Sequence, residues 1–120
     1  LCPEDLVLDT DRELLEQILL NLLENAVKYT PEGGRIRVQV RADGKHCSLD
    51  VEDTWPGIPE ALRERVFERF FRVDPERSRA AGGTGLGLAI VKHAVSALHG
   101  EVRCIASPLG GACMRVTLPK

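Results

Sequence analysis

The residues predict a two-layer α/β sandwich: a mixed, largely antiparallel sheet with helices packed on one face. Three observations carry that expectation. A long run of apolar residues recurs at helical spacing near the N-terminus, and two segments of alternating apolar and polar residues each fold back on a turn. A glycine-dense loop then runs straight into a second apolar, helix-spaced segment. The 120 residues are 43% hydrophobic and 28% charged, which suits one domain, residues 1–120, with a core large enough to fold alone.

Taken in order, Leu14, Leu15, Ile18, Leu19, Leu22, Leu23, Ala26 and Val27 share helical spacing, with Asp9, Thr10 or Asp11 available as the cap. Thr30, Pro31, Gly33 and Gly34 end that helix. Ile36, Val38 and Val40 alternate with Arg35, Arg37, Gln39 and Arg41; Asp43 and Gly44 turn the chain, and Cys47, Leu49 and Val51 alternate again, which reads as a half-buried hairpin. Leu62, Val66, Phe67 and Phe70 suggest a short helix after Pro59. Residues 72–83 have no periodicity and read as a mobile loop. The glycine loop opens a helix to about Leu98, and His99 and Gly100 lead into closing strands near residues 101–107 and 112–118, separated by a turn from Pro108 to Gly111. There are no internal repeats and no linker.

Composition narrows the function classes. The formal net charge is −2 and the basic residues are dispersed, which argues against a nucleic-acid or acidic-membrane footprint. One local basic run, Arg63, Arg65, Arg69, Arg72, Arg77 and Arg79, stands apart. Cys2, Cys47, Cys104 and Cys113 have no metal-like spacing and read as reduced core residues of a cytosolic domain. No apolar run approaches the roughly 20 residues of a membrane span. The chain opens at Leu1 without an initiator methionine, so a piece of a longer protein is expected.

The glycine loop, Gly82, Gly83, Thr84, Gly85, Leu86 and Gly87, reads physically as an anion site. Glycines turn successive N–H groups toward a ligand at a helix start, where the dipole favours negative charge, and a di- or triphosphate is the usual guest. On the first helix, Asn21, Asn25 and Tyr29 lie four apart with Lys28 beside them. A carboxamide oxygen suits Mg²⁺ already carrying phosphates, and an ammonium neutralises a terminal phosphate; solvent exposure, with Lys28 paired to Glu24, fits the same residues. Asp53 continues the alternation of Cys47, Leu49 and Val51, which aims its carboxylate at the buried face, where an exocyclic amine such as adenine's would justify the desolvation. A strand that has ended, with Asp53 turning out into the following loop, fits equally well.

Four segments together resemble a known family. Residues 21–31, from Asn21 through Asn25 and Lys28 to Pro31, look like the N box of the ATP-binding catalytic domain of bacterial two-component sensor histidine kinases. Asp53, Thr54, Trp55, Pro56, Gly57, Ile58 and Pro59 resemble their first glycine box, residues 66–72 their F box, and Gly83, Thr84, Gly85, Leu86, Gly87 and Leu88 their second glycine box. All four stand in family order, and the match runs from about Asp11 to Pro119. The fold implied is the Bergerat ATP-binding sandwich of the GHKL superfamily, shared with gyrase, mismatch-repair and heat-shock chaperone ATPases.

The resemblance implies roles for these positions. Asn25, helped by Asn21, holds Mg²⁺ against the phosphates of ATP; Lys28 contacts the phosphate tail, and Tyr29 packs near the nucleoside. Asp53 accepts from the adenine amino group. Gly57 and Ile58 lie against the base; Gly83, Thr84, Gly85, Leu86 and Gly87 shape the lid hinge and phosphate loop. Residues 72–84 form the ATP lid, with Arg72, Arg77 or Arg79 as its phosphate contact. Phe67, Phe70 and Phe71 pack in the core beneath the lid. ATP-hydrolysing relatives generally carry a glutamate general base where this chain has Asn21, and Gln17 one turn earlier is a neutral amide, so the implied reaction is kinase-like. Asn25 and Lys28 carry the catalytic positioning of the γ-phosphate for a histidine on a separate helical dimerisation domain. The implied partners are that domain and a response regulator, and the implied setting is the cytoplasmic part of a membrane-anchored sensor. The fragment itself is expected to be monomeric, with no nucleic acid and no direct membrane contact. His46, His93 and His99 stand outside any phosphoacceptor motif.

One residue departs from the pattern. Trp55 occupies the first glycine of the first glycine box, where an indole opposes close backbone approach to the base. Three outcomes are open: the indole swings outward, fills the adenine pocket, or remodels the loop and weakens affinity. Impaired nucleotide binding in a folded domain is the favoured expectation, and a folded docking or regulatory module is the alternative function.

Overall fold

The computed structural model describes residues 11–30, 32–54, 58–69, 71 and 86–119, with Tyr29 in its backbone only. The first helix, α1, spans Arg12–Tyr29. Asp11 caps it, its carboxylate accepting from Leu14 N–H at 3.2 Å, which satisfies one of the first-turn donors that have no helical partner. Ile18, Leu22 and Ala26, at i, i+4 and i+8, form the buried stripe. Thr30 is extended at φ −91°, ψ 119° and closes the last turn through its N–H to the Ala26 carbonyl. The following Pro31 disfavours helical backbone at the residue before it, which explains why the helix stops there.

Strands β1 (Ile36–Ala42) and β2 (His46–Asp53) form the expected antiparallel hairpin, with Val38 opposite Val51 and Ala42 opposite Cys47. The Asp43 carboxylate ties the turn by accepting from the N–H groups of Lys45 and His46 at 2.8 and 2.7 Å. The short helix expected after Pro59 is instead two 3-10 turns, Glu60–Leu62 and Arg65–Phe67, of which the second buries Val66 and Phe67. A segment this short does not repay α-helix nucleation, and the tighter turn suffices to drop two side chains into the core.

The second helix, α2, spans Gly87–Ala97 and buries Val91, Ala94 and Val95. It ends on Leu98, and the left-handed residue is His99 at φ 61°, not the glycine that the sequence offers next to it. Gly100 is needed for space. Its N–H closes on the Val95 carbonyl at 2.9 Å, and a Cβ there would come within 2.6 Å of the Leu118 side chain. Strands β3 (Glu101–Ala106) and β4 (Ala112–Pro119) pair antiparallel.

The four strands run in the order β1-β2-β4-β3, and every pairing among the described residues is antiparallel. Helices α1 and α2 lie against each other over one face. There, Ile18, Leu22, Leu49, Val51, Val91, Val95, Met114 and Val116 form one cluster. Among the described residues no helix is long and apolar enough to cross a membrane.

The other face of the sheet is charged but not open. Asp50 and Glu52 of β2 are buried there, side chains 1% and 3% exposed, beneath arginines of the two flanking strands. Arg115 grips Asp50 with Nε and Nη2 at 2.9 and 3.1 Å, Arg41 adds a bond at 2.8 Å, and Arg37 holds Glu52 at 2.6 Å. Cys113 lies between them. Burial, reinforced by both carboxylates, pushes its thiol up to about 12; burial pushes Cys104, on the helix side, up to about 11. Cys47, Cys104 and Cys113 are all buried, and Cys2 lies outside the described residues.

Candidate nucleotide-binding site

Asp53 closes β2. The strand continues through it, so the reading in which it turns out into the loop gives way to the one in which it keeps the strand alternation. Its carboxylate is half-buried, and Oδ1 accepts from the Ala112 N–H at 3.0 Å, a bond between residues 59 apart in sequence. Just beyond it, the Thr54 hydroxyl accepts from Arg35 N–H at 3.0 Å, so the chain entering residues 55–57 starts from two anchored positions.

Gly111 makes that geometry possible. It is buried, and a Cβ on it would collide with both Oδ1 and the carbonyl oxygen of Asp53. Its carbonyl accepts from Ser107 N–H at 2.9 Å, while Gly110 takes the positive φ of 99° that the turn requires. Sequence reasoning saw a turn at Pro108–Gly111 but missed its contact with Asp53. Two adjacent glycines, where a turn needs one, were the available signal.

Of the candidate residues on α1, Asn21 lies against the start of α2. Asn21 donates from Nδ2 to the Gln17 carbonyl at 2.8 Å, and its Oδ1 lies beside Gly87, where a Cβ would sit 3.4 Å away. Asn25, one turn on, is half-buried, and Lys28 is exposed in the last turn. Among the described residues the ion pair on α1 is Arg12 with Glu16 at 3.1 Å, not Glu24 with Lys28, so Lys28 is not explained by that pairing. At the start of α2, Leu86 offers no side-chain acceptor to the first-turn N–H groups. Ile58 is half-buried against the core, and its carbonyl accepts from Arg63 at 3.0 Å. Phe67 and Phe71 pack as expected, with Arg65 stacked 4.5 Å over the Phe71 ring.

Trp55, Gly57, Arg72, Gly83, Thr84 and Gly85, the side chain of Tyr29, and the lid positions Arg77 and Arg79 lie outside the described residues, as does Phe70. His46, His93 and His99 are exposed.

Comparison with known proteins identifies the family and the fold. The family described as histidine kinase-, DNA gyrase B-, and HSP90-like ATPase matches residues 10–120. The chain is 45% identical over 118 residues to the sensor histidine kinase TmoS of Ectopseudomonas mendocina, covering 98% of this chain and 12% of that protein. It is 38% identical over 117 residues to the signal transduction histidine-protein kinase BaeS of Escherichia coli K12, covering 98% and 25%. The catalytic domain of histidine kinase ThkA, in a nucleotide-free form, superposes with a TM-score of 0.85 at 30% identity, covering 99% of this chain and 77% of that one. The mycobacterial sensor histidine kinase MprB gives 0.78 at 38% identity, covering 92% and 74%. The chain spans 12–29% of the length of these curated relatives. Over that span both sequence and fold agree, and the chain belongs to the histidine kinase-, DNA gyrase B-, and HSP90-like ATPases, among the ATP-binding catalytic domains of sensor histidine kinases.

Proposed function

We propose that this chain binds Mg-ATP and presents its γ-phosphate to a histidine on a separate helical domain of the same kinase, from which a response regulator draws the phosphoryl group. The observation that carries the proposal is the carboxylate of Asp53, fixed at the end of β2 by the Ala112 N–H on the face of the sheet that the helices cover. A carboxylate oxygen there accepts from the exocyclic amine of adenine without losing its backbone partner, because a carboxylate offers about four lone-pair positions.

The donor set on α1 fits a magnesium ion carrying phosphates. Asn25 and Asn21 supply neutral carboxamide oxygens one turn apart, and Asn21 Oδ1 already faces the first residue of α2. When bound, the ion neutralises phosphate charge. The remaining work belongs to the chain. Lys28 meets the phosphate tail, the first-turn N–H groups of α2 receive phosphate oxygens, and Asp53 sets the base. Asn21, bonded to the Gln17 carbonyl, is no general base, which spares ATP from water. Attack by a neutral imidazole nitrogen on the γ-phosphorus then depends on positioning. Likewise, the solved complex of ThkA with the response regulator TrrA supports a response regulator as the downstream partner. Trp55 lowers nucleotide affinity without removing it.

The test is phosphotransfer from labelled ATP to the acceptor domain of the same kinase supplied in trans. The expected product is an acid-labile, alkali-stable phosphohistidine that chelation of Mg²⁺ abolishes and that Asn25→Ala lowers by about 100-fold or more, on the scale of losing a buried charge-positioning contact. Equal transfer by Asn25→Ala would contradict the assignment.

A further inference from the structure

We infer that Gly111 is a positioning residue for adenine recognition, acting through Asp53 without touching the nucleotide; this rests on the reading of Asp53 as the adenine acceptor. Asp53 and Gly111 come from different hairpins, and their contact is steric on one side and hydrogen-bonded on the other. The absent Cβ of Gly111 leaves the space that Asp53 Oδ1 and the Asp53 carbonyl occupy. The next residue, Ala112, supplies the N–H that holds Oδ1 at 3.0 Å.

Gly111 does not carry the positive φ of its turn, which falls to Gly110, and its own neighbours show why a glycine is nonetheless required. The turn is itself tied down. Ser107 N–H donates to the Gly111 carbonyl at 2.9 Å, Leu109 N–H donates to the Ser107 hydroxyl at 3.0 Å, and that hydroxyl reaches Glu52 at 3.5 Å. Because Glu52 is gripped by Arg37, the turn cannot retreat without disturbing the charged face. A methyl group at 111 therefore displaces the end of β2 at Asp53, carbonyl and carboxylate together, instead of the turn. The base loses its fixed acceptor while the phosphate-binding residues on α1 and α2 stay in place.

The readout is selectivity between ADP and inosine diphosphate, which replaces the 6-amino group by an oxygen. Calorimetric titration with each nucleotide and Mg²⁺ is run on the wild type, Gly111→Ala and Asp53→Ala. The wild type is expected to prefer ADP. In Gly111→Ala the ADP affinity falls by about tenfold or more, the IDP affinity changes less, and the preference collapses toward that of Asp53→Ala. Full ADP preference in Gly111→Ala, with Asp53→Ala having lost it, overturns the inference and leaves the reading of Asp53 standing. Full preference in Asp53→Ala overturns the reading itself and the inference with it; if the wild type binds neither nucleotide, the same three proteins are compared in a Trp55→Gly background, where no binding overturns both. If Gly111→Ala does not fold, the wild type decides through its amide spectrum. The Ala112 N–H resonance is expected to move differently on saturation with ADP and with IDP, and an identical response to both overturns the inference.

Discussion

Asp50 carries two opposed effects on its ionisation. Burial alone would raise its pKa, but the hydrogen bonds and charges of Arg115 and Arg41 outweigh it and hold the carboxyl below its ordinary value. A folded-state pKa below the unfolded one contributes stability above the unfolded value, and that contribution fades as pH falls through about 4 toward the folded value. Asp50→Asn is expected to cost about 2–3 kcal/mol at pH 7, less than a fully buried pair because Arg115 and Arg41 remain 38% and 56% exposed. Urea unfolding of both proteins is expected to show the gap closing below pH 4; a gap that stays constant with pH would contradict the pairing. The sequence half-revealed this network. The alternating arginines of β1 are plain in the sequence, but nothing local marks Asp50 and Glu52 as buried. What buries them is the pairing of β2 with β4, which sets Arg115 opposite Asp50. That register joins residues 65 apart, and no local pattern encodes it.

At the scale of elements, the helix ends divide legible from illegible. The N-terminus of α1 was readable because an Asp before an apolar-periodic run has one local purpose, and Asp11 serves it. The C-terminus of α2 falls near Leu98, where the sequence predicts it, but two demands, left-handed backbone and open space, fall on the adjacent residues. His99 meets the first and Gly100 the second. Left-handed backbone costs a non-glycine residue about 1 kcal/mol. His99→Gly is therefore expected to stabilise the domain by up to about 0.5 kcal/mol after the added unfolded-state entropy of glycine is set against it, which thermal unfolding measures as a rise of up to about 3 °C. A fall in the melting temperature would show that the histidine side chain contributes more than its backbone strain costs. Apolar spacing predicts a helix where the structure has two 3-10 turns, because Leu62, Val66 and Phe67 satisfy either geometry.

For the whole molecule, the hydrophobic pattern of the sequence predicts helices over one sheet face, and the structure has α1 and α2 there. The pairing of the two hairpins through β2 and β4 was not written in any one segment, and with it went the contact of Gly111 with Asp53. On the proposed function, this assembly holds an adenine nucleotide and Trp55 weakens its grip. Calorimetric titration of Mg-ADP into the wild type and into Trp55→Gly tests it most directly. Both are expected to bind one equivalent, with Trp55→Gly tighter by about tenfold, ~1.4 kcal/mol. Equal affinities would contradict the role of Trp55, and no binding by either protein would contradict the nucleotide site itself.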